Sequence, residues 1–313
     1  MKKRKSKVLI ALAILLSLAV SLLFVSCGES SGSRPTTDRQ GNSITLPDKV
    51  DKVISLGPAL TEIIAGLGLA DKLIAIDTYA TDIPGLSSDL PQFDMLSPDA
   101  EQLVNLNPDV LFVTGMAQIG GDDPYKPVKD AGICVVYIPS SASINDIKED
   151  IKYIANVMGV KSKGDSIVKD MEKKIAEIKK IGDSISESDK KSVYFELDVW
   201  GSSFYSCGKN SYLHELIELV GAVNAYANEP DVNGWLSLSE EIILAKNPDV
   251  ILTSISYIPD IVNDIKSRPG WDALTAVQNN AVYYIDANAS SRPTQNIIKA
   301  LEEIAKAVYP DKY

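Results

Sequence analysis

The chain has 313 residues, of which 45% are hydrophobic and 23% are charged, a balance typical of a soluble globular body large enough for two lobes. It carries 31 Lys and Arg against 42 Asp and Glu, a formal net charge of −11, and five of the bases lie in the first seven residues. Such an acidic body repels phosphate backbones, which argues against nucleic acid as a partner.

The first 26 residues have the pattern of an export signal. A basic stretch over residues 1–7 precedes an apolar run over residues 8–25. The run is also just long enough to span a bilayer, so an uncleaved anchor is the alternative. The sequence LFVSC, which ends at Cys27, resembles a bacterial lipobox and implies that Cys27 is lipidated. Either interpretation places the body outside the cytoplasmic membrane.

Beyond the signal, residues 27–42 are rich in Ser, Gly and Thr and are predicted to form a flexible tether. In the body that follows, apolar runs bounded by turn residues alternate with helical patterns. This alternation predicts α/β lobes whose parallel sheets are covered on both faces. The predicted strands are 53–55, 73–76, 110–114, 135–138, 193–197, 250–254 and 281–285, and the predicted helices are 60–67, 100–106, 144–158, 212–220, 240–246 and 295–308.

The chain from about residue 162 to residue 186 is charged and carries apolar residues spaced by three or four positions. Such spacing forms a single apolar stripe along one long helix. The helix stands between two sets of strands, so we interpret it as a connector between two lobes. The predicted boundaries are 43–160 for the N-terminal lobe, 161–187 for the connecting helix and 188–313 for the C-terminal lobe.

Two stretches of the body repeat one another. Residues 100–111 and 240–251 each combine a short helix, an Asn-Pro-Asp sequence that stops the helix, and a buried strand. Glu101 and Glu241 occupy matching positions near the starts of the two helices. Each lobe therefore presents one acidic residue at a helix start, where a carboxylate complements the helix dipole by about a few tenths of a kcal/mol.

Each repeated helix has a candidate start signal. Ser97 is predicted to cap the first helix, with Pro98 at its first position. Ser237 with Glu240 forms an S-x-x-E capping box for the second helix. Counted from those caps, the two matching glutamates both fall at the fourth helical position.

The sequence SLGPALTE, from Ser55 to Glu62, resembles the S-x-x-P-x-x-T-E signature of a family of binding proteins for ferric siderophores, haem and cobalamin. The paired E-x₆-P-D segments and the stretches 208–224 and 292–310 resemble it as well, and the likeness covers about residues 43–311. The resemblance implies a class III solute-binding protein. Such a protein has two Rossmann-like α/β lobes joined by a single long rigid helix, with the ligand in the cleft between the lobes.

The same resemblance gives the matching glutamates a role. In the family, one surface glutamate per lobe docks on arginine pockets of the permease, and Glu101 and Glu241 are the matching positions. The chain is therefore expected to be the receptor of an ABC importer, with the permease dimer as its partner. From the residues alone, complementing the helix dipoles is an equal alternative. Glu62 and Glu240 are expected to be structural.

Ligand clefts for small molecules are mostly apolar and aromatic, with a few placed polar groups. Loops that follow predicted strands supply such side chains. Tyr79 and Trp235 also match aromatic positions that line the cleft of cobalamin-binding relatives in the family. Trp271, in the sequence R-P-G-W, is expected to pack in the core. The candidate ligand-binding residues are Tyr79, Met116, Trp200, Phe204, Tyr205, Trp235, Tyr257 and Arg292.

The arginine content bears on the choice of ligand. Bidentate binding of an anionic ferric chelate needs guanidinium groups, and of the five arginines in the chain only Arg292 is well placed to supply one. The family resemblance implies R-P-x-P-R at this point, whereas this sequence continues from Arg292 as Pro-Thr-Gln-Asn and lacks the second arginine. We therefore predict a corrinoid such as cobalamin, which is net neutral and amphipathic. A ferric siderophore, or haem bound through a tyrosine, is the alternative.

The single histidine, His214, is expected at the surface or boundary of a helix, and one histidine cannot form the His-rich site of a receptor for free Zn²⁺ or Mn²⁺. The three cysteines include no C-x-x-C pair. With Cys27 lipidated, Cys134 is predicted to be a buried core thiol and Cys207 to lie in a polar loop. A disulfide between the last two stays open as an alternative.

The sequence contains no G-x-G-x-x-G, Walker A, G-x-S-x-G or H-E-x-x-H motif. We therefore expect a receptor rather than an enzyme, with no cofactor of its own and with a corrinoid or ferric chelate as its ligand. A surface lipoprotein that serves as a scaffold or adhesin is the alternative from another class. The expected protein is a monomer held on the outside of the cell membrane by the lipid anchor.

Overall fold

A computed structural model of the chain describes residues 34–118 and 123–313. The predicted signal peptide, the predicted lipidation site Cys27 and the first part of the tether lie outside the described residues. The prediction of a flexible tether is wrong for residues 37–42, because Asp38 is buried and Arg39 forms salt bridges with Glu149 and Asp150 of the N-terminal lobe. Residues 35–313 form one compact unit that contains two parallel sheets. Within the described part of the chain, no helix is both long enough and apolar enough to cross a membrane.

The N-terminal lobe is built on a five-stranded parallel sheet. Its strands are β1 (Val53–Leu56), β2 (Leu73–Asp77), β3 (Gln92–Phe93), β4 (Val110–Thr114) and β5 (Cys134–Ile138). They lie in the order β3-β2-β1-β4-β5. Burial on both faces explains why the two neighbouring strands β1 and β4 are mostly apolar and carry no charge; they pair in register with Ile54 opposite Leu111.

Helices cover both faces of this sheet. Apolar side chains of one face pack with Ile63 and Ile151, and those of the other face pack with Leu103 and Val128. The helices are α1 (Pro58–Gly66), α2 (Ala100–Asn105), α3 (Lys126–Asp130) and α4 (Ile144–Val157). The last of these begins with a capping box, in which Ser143 and Asp146 satisfy each other's backbone N–H groups.

The predicted connector is the helix α5 (Lys161–Gly182), which has 22 residues and packs along α4. It buries Met171 and Ile178 of the apolar stripe that the spacing predicted, and Val168 beside them. Gly182 ends the helix against the backbone of the C-terminal lobe. A Cβ at this position would lie 2.3 Å from the carbonyl oxygen of Leu219, so only glycine allows this close approach.

The C-terminal lobe contains a four-stranded parallel sheet. Its strands are β6 (Ser192–Glu196), β9 (Val223–Asn224), β11 (Val250–Thr253) and β12 (Val282–Tyr284), in the order β12-β11-β6-β9. The helices of this lobe are α6 (Tyr212–Leu219), α7 (Glu240–Lys246), α8 (Ile261–Ser267), α9 (Thr275–Gln278), α10 (Ala287–Ser291) and α11 (Ile297–Val308). The predicted architecture of two Rossmann-like lobes joined by one long helix is thus confirmed.

A second, antiparallel sheet in the C-terminal lobe was not predicted. It consists of β7 (Asp198–Trp200), β8 (Ser203–Cys207) and β10 (Trp235–Leu238), in the order β10-β8-β7. The prediction that Cys207 lies in a polar loop is therefore wrong, because the residue ends β8 and is fully buried. Cys134, in the other lobe, is partly buried, and no disulfide joins the two thiols.

The predicted caps of the repeated helices are also wrong, although the helices themselves are confirmed. Asp99, not Ser97, caps α2, because its side chain accepts the N–H of Gln102. Ser237 lies in β10, and α7 starts after Ser239. The two matching glutamates are therefore the second residues of their helices rather than the fourth.

The apolar core joins the two lobes. One cluster of buried side chains is continuous from Val53 and Ile63 through Met171 of α5 to Phe195 and Leu301. Separate clusters complete each lobe on its far side. Trp271 lies fully buried in one of them, as expected.

Candidate ligand-binding site

Three exposed side chains, two from the N-terminal lobe and one from the C-terminal lobe, lie beyond the carboxyl ends of parallel strands. Tyr79 follows β2, Met116 follows β4 and Tyr257 follows β11. Tyr79 is 69% exposed and Tyr257 is 62% exposed, so neither contributes to a core. In open α/β sheets, ligands bind outside the carboxyl ends of the strands.

The antiparallel sheet brings further predicted residues onto one surface. Residues opposite one another in an antiparallel pair point to the same face, and the face alternates along each strand. Asp198 is opposite Tyr205, and Tyr205 is opposite Ser237. Trp200 and Trp235 lie two residues from Asp198 and Ser237 in their strands. The exposed face therefore carries Asp198, Trp200, Ser203, Tyr205, Trp235 and Ser237, and we call it the aromatic face.

The opposite face of this sheet belongs to the core. Phe204, Leu236 and Leu238 are buried there with Trp271. The placement of Phe204 among the candidate ligand-binding residues is therefore wrong, since its ring packs inward. In contrast, Trp200 is 80% exposed and Trp235 is 55% exposed.

Tyr257 joins the loop after β11 to the aromatic face. Its hydroxyl donates to Oδ1 of Asp198 and lies 3.4 Å from the carbonyl oxygen of Val199. Partial burial and the hydrogen bond to the carboxylate both raise the pKa of the Tyr257 hydroxyl. The phenol therefore remains a donor throughout the neutral range.

A small cavity lies where the aromatic face meets the N-terminal lobe. Ser141 and Ala142, which follow β5, line one side of it. Trp235, Cys207 and Asn210 line the other side. The Trp235 end of the aromatic face thus lies close to the N-terminal lobe.

Arg292 lies beside Tyr79 with its guanidinium engaged. Nη2 of Arg292 donates to the carbonyl oxygen of Tyr79 at 3.0 Å and to Oδ1 of Asp82 at 2.7 Å. The arginine side chain is only 11% exposed. Asn288 donates to the second oxygen of Asp82. A direct contact between Arg292 and the ligand stays a prediction, whereas its contact with the Tyr79 loop is observed.

The same C-terminal stretch also binds Glu62 of α1. Thr294 and Asn296 donate to the two carboxylate oxygens of Glu62, and Gln295 donates to its carbonyl oxygen. Glu62 is buried, and burial raises the pKa of its carboxyl group. The expected structural role of Glu62 is confirmed. Residues 288–296, which we call the returning segment, therefore form hydrogen bonds with two carboxylates of the N-terminal lobe, those of Glu62 and Asp82.

Glu101 and Glu241 lie in equivalent exposed positions, each as the second residue of its short helix. A hydrogen bond from Ser239 lowers the pKa of Glu241. Glu240, in contrast, accepts the indole N–H of Trp271 at 2.7 Å, which confirms its expected structural role. The structure leaves both Glu101 and Glu241 accessible to a partner.

Metal-ligating residues are not clustered in the parts of the chain that the structure describes: there, no group of three or more His, Cys, Asp or Glu side chains is arranged to hold a metal ion. His214 lies within α6 and is partly buried, in agreement with the boundary position expected for it, and its Nε2 lies 3.4 Å from Oε1 of Glu218. The polar residue that sequence reasoning missed is Asp198, which only the strand register places beside the aromatic residues.

The chain is similar to known proteins over most of its length. It is 29% identical to the ABC transporter substrate-binding lipoprotein YvrC of Bacillus subtilis, over 88% of this chain and 85% of that protein. It is 23% identical to the vitamin B12-binding protein of Vibrio cholerae, over 83% of this chain and 90% of that protein.

Solved structures share the fold. The heme-binding protein RhuT of Roseiflexus sp. RS-1 has a TM-score of 0.73 at 22% identity, and the match covers 84% of this chain and 100% of that one. The protein MolA of Haemophilus influenzae, bound to molybdate, has a TM-score of 0.74 at 22% identity, and the match covers 88% and 91%. The fold is therefore that of a class III solute-binding protein. Residues 53–289 match the periplasmic binding protein family, and the chain belongs to this family of non-enzymatic transport receptors.

Proposed function

We propose that this protein is the substrate-binding lipoprotein of an ABC importer that captures a corrinoid, most simply cobalamin, and delivers it to the permease. The observation that carries the proposal is the aromatic face, on which Trp200, Tyr205 and Trp235 share one side of the antiparallel sheet. Broad aromatic surfaces with few polar groups suit a large, flat and net-neutral ligand.

The state of the arginines favours a corrinoid over an anionic chelate. Arg268 forms a bidentate pair with Glu196, at 2.6 and 2.8 Å, and Arg292 is paired with Asp82. An anionic ligand would have to compete with these carboxylates for the guanidinium groups. A neutral ligand with amide groups needs no such exchange.

A ferric siderophore or haem is the second candidate. The exposed phenol of Tyr79 favours it, because a tyrosinate is one of the protein groups that hold haem iron. The fold is shared with the heme-binding RhuT, and equally with the molybdate-bound MolA, so likeness of fold does not choose among these ligands.

The receptor would be anchored to the membrane and would bind the permease. Lipid on Cys27 and a tether that ends before Thr37 would hold a monomer, with lobes over 43–160 and 188–313, on the outside of the cell membrane. Glu101 and Glu241, one per lobe, would dock on the permease. The accessibility of both carboxylates at equivalent helix positions supports this role.

A fluorescence titration tests which ligand the protein binds. The chain has three tryptophans, of which Trp200 and Trp235 are exposed and Trp271 is buried, so a ligand on the aromatic face quenches two of them. We expect saturable quenching by cyanocobalamin with a soluble form that starts after Cys27, and loss of most of this signal in the double variant Trp200→Phe with Trp235→Phe. Saturable binding of haemin or a ferric siderophore in place of cyanocobalamin would overturn the corrinoid assignment and retain the receptor.

A further inference from the structure

Asp198 stands on the aromatic face as its one charged side chain. It follows the buried end of β6 by two residues and opens β7, and it is exposed. Tyr205 and Ser237 are its neighbours across the sheet, and Trp200 is the next residue of its strand on the same face. Any ligand that stacks on the tryptophan therefore lies beside this carboxylate.

The two carboxylate oxygens of Asp198 differ in their hydrogen bonds. Oδ1 accepts the N–H of Val199 at 2.7 Å and the hydroxyl of Tyr257. Among the described residues, none donates a hydrogen bond to Oδ2. The two bonds to Oδ1 fix the carboxylate plane, so Oδ2 is presented as a free acceptor.

The guanidinium of Arg268 packs on the buried face of the same sheet and is already neutralised. Arg268 lies with Glu196 and Asp264, and its guanidinium stacks over the rings of Phe204 and Trp271 on the buried face. In the described part of the chain, no lysine or arginine forms a salt bridge with Asp198. The aromatic face is therefore both apolar and negatively charged.

We propose that Asp198 sets the charge selectivity of the cleft, with Tyr257 as the residue that positions it. The carboxylate accepts hydrogen bonds from amide or cationic groups at the edge of the ligand and repels ligands that carry a negative charge there. This inference rests on the proposed function, since it assumes that a ligand binds on the aromatic face.

Corrinoids of one shape and different charge provide the test. At pH 6.5, cyanocobalamin is neutral, aquocobalamin is a cation, and a cyanocobalamin with one side-chain amide hydrolysed to a carboxylate is an anion. For the full chain in detergent, we expect dissociation constants to rise from cation to neutral to anion. Asp198→Asn keeps the shape of the side chain and is expected to reduce the ratio between anion and cation about tenfold, equivalent to about 1.4 kcal/mol.

Two further variants separate charge from structure. Tyr257→Phe keeps the ring and loses the donor, so it is expected to reduce the same ratio in the same direction while the thermal unfolding temperature stays unchanged. Asp311→Asn, at an exposed position near the C-terminus, changes the net charge equally and is expected to leave the ratio as it is. An equal change for all three corrinoids in Asp198→Asn would overturn the proposal.

Titration with ferric siderophores distinguishes a failure of the corrinoid assignment from a failure of the charge selectivity. If the wild-type chain binds none of the corrinoids, the same variants are titrated with cationic ferrioxamine B, neutral ferrichrome and anionic ferric enterobactin. A preference for the cationic or neutral chelate that Asp198→Asn reduces supports the role of Asp198 and overturns only the corrinoid assignment. A preference for the anionic chelate, or saturable binding of none of the six, overturns the charge selectivity as well.

Discussion

At the scale of single residues, Arg292 and Tyr79 act as a unit. The guanidinium holds the backbone oxygen of Tyr79 and the carboxylate of Asp82 with the same nitrogen. Although burial raises it, hydrogen bonds from Arg292 and Asn288 hold the pKa of Asp82 below its ordinary value, so the pair is ionised at neutral pH. We therefore expect Arg292 to support binding by fixing the loop of Tyr79.

Exchanging the two charges distinguishes this role from direct contact with the ligand. Arg292→Ala is expected to weaken binding about tenfold, or ~1.4 kcal/mol, because the Tyr79 loop loses its support. The double variant Arg292→Asp with Asp82→Arg restores an ion pair in reversed order and should recover most of the affinity in the fluorescence titration. If Arg292 instead contacts the ligand, the double variant will bind no better than Arg292→Ala.

The sequence disclosed some of these residues more readily than others. Tyr79 and Met116 could be identified because a large apolar residue just after a buried strand has no core to join. Asp198 could not, because acidic residues are common in this chain and only strand pairing places it beside Trp200. Phe204 was misassigned for the same reason, since its inward direction follows from the alternation along a strand that was not recognised.

At the scale of elements, the buried parallel strands were predictable and the antiparallel sheet was not. The strand Val110–Thr114 was predicted with the observed bounds, because a run of five residues without a charge can be buried on both faces. The strands β7 and β8 mix aromatic, polar and acidic residues, since one of their faces is solvated. Their pattern resembles a loop when the partner strand, about thirty residues later in the sequence, is unknown.

The short helices α2 and α7 carry a prediction about transport. The double variant Glu101→Ala with Glu241→Ala is expected to abolish uptake of the ligand by cells while leaving the dissociation constant of the isolated receptor unchanged, because both carboxylates are exposed and neither is part of the aromatic face. Uptake of labelled cobalamin and the fluorescence titration measure the two properties.

A matched control for this variant removes two other exposed acids, Asp272 and Asp311, so that the net charge changes equally. Normal uptake is expected in the control. Normal uptake in the Glu101 and Glu241 double variant would show that these residues only complement their helix dipoles.

At the scale of the whole molecule, the lobes are joined by more than the helix α5. The returning segment brings hydrogen bonds from the C-terminal end of the chain to Glu62 and Asp82 in the N-terminal lobe. The apolar cluster that includes Met171 is shared by both lobes. These connections limit how far the lobes are able to move apart without loss of buried contacts.

The buried carboxylate of Glu62 predicts a pH dependence of stability. Burial raises its pKa, so the folded chain binds this proton more tightly than the unfolded chain, and stability falls as the pH rises above the ordinary glutamate range of about 4.5. Glu62→Gln resembles the protonated form and keeps an oxygen for Asn296. We expect its unfolding temperature to exceed that of the wild type at pH 7.5, with a smaller difference at pH 5.

Glu177→Gln, on the exposed face of α5, serves as the control and should show no such change between the two pH values. Thermal unfolding of the three proteins at both pH values measures the effect. A Glu62→Gln variant that is less stable than the wild type by the same amount at pH 5 and pH 7.5 would mean that the hydrogen bonds of the carboxylate outweigh its burial.

The returning segment also has a consequence for the order in which the protein is synthesised and folds. A chain is synthesised from its N-terminus. Glu62 and Asp82 therefore emerge about two hundred residues before Asn288, Arg292 and Asn296, which are their partners. Until residues 288–296 have been made, the carboxylates of Glu62 and Asp82 are solvated by water instead of being bound by these residues. The first lobe therefore reaches its final packing only after residues 288–296 have been made.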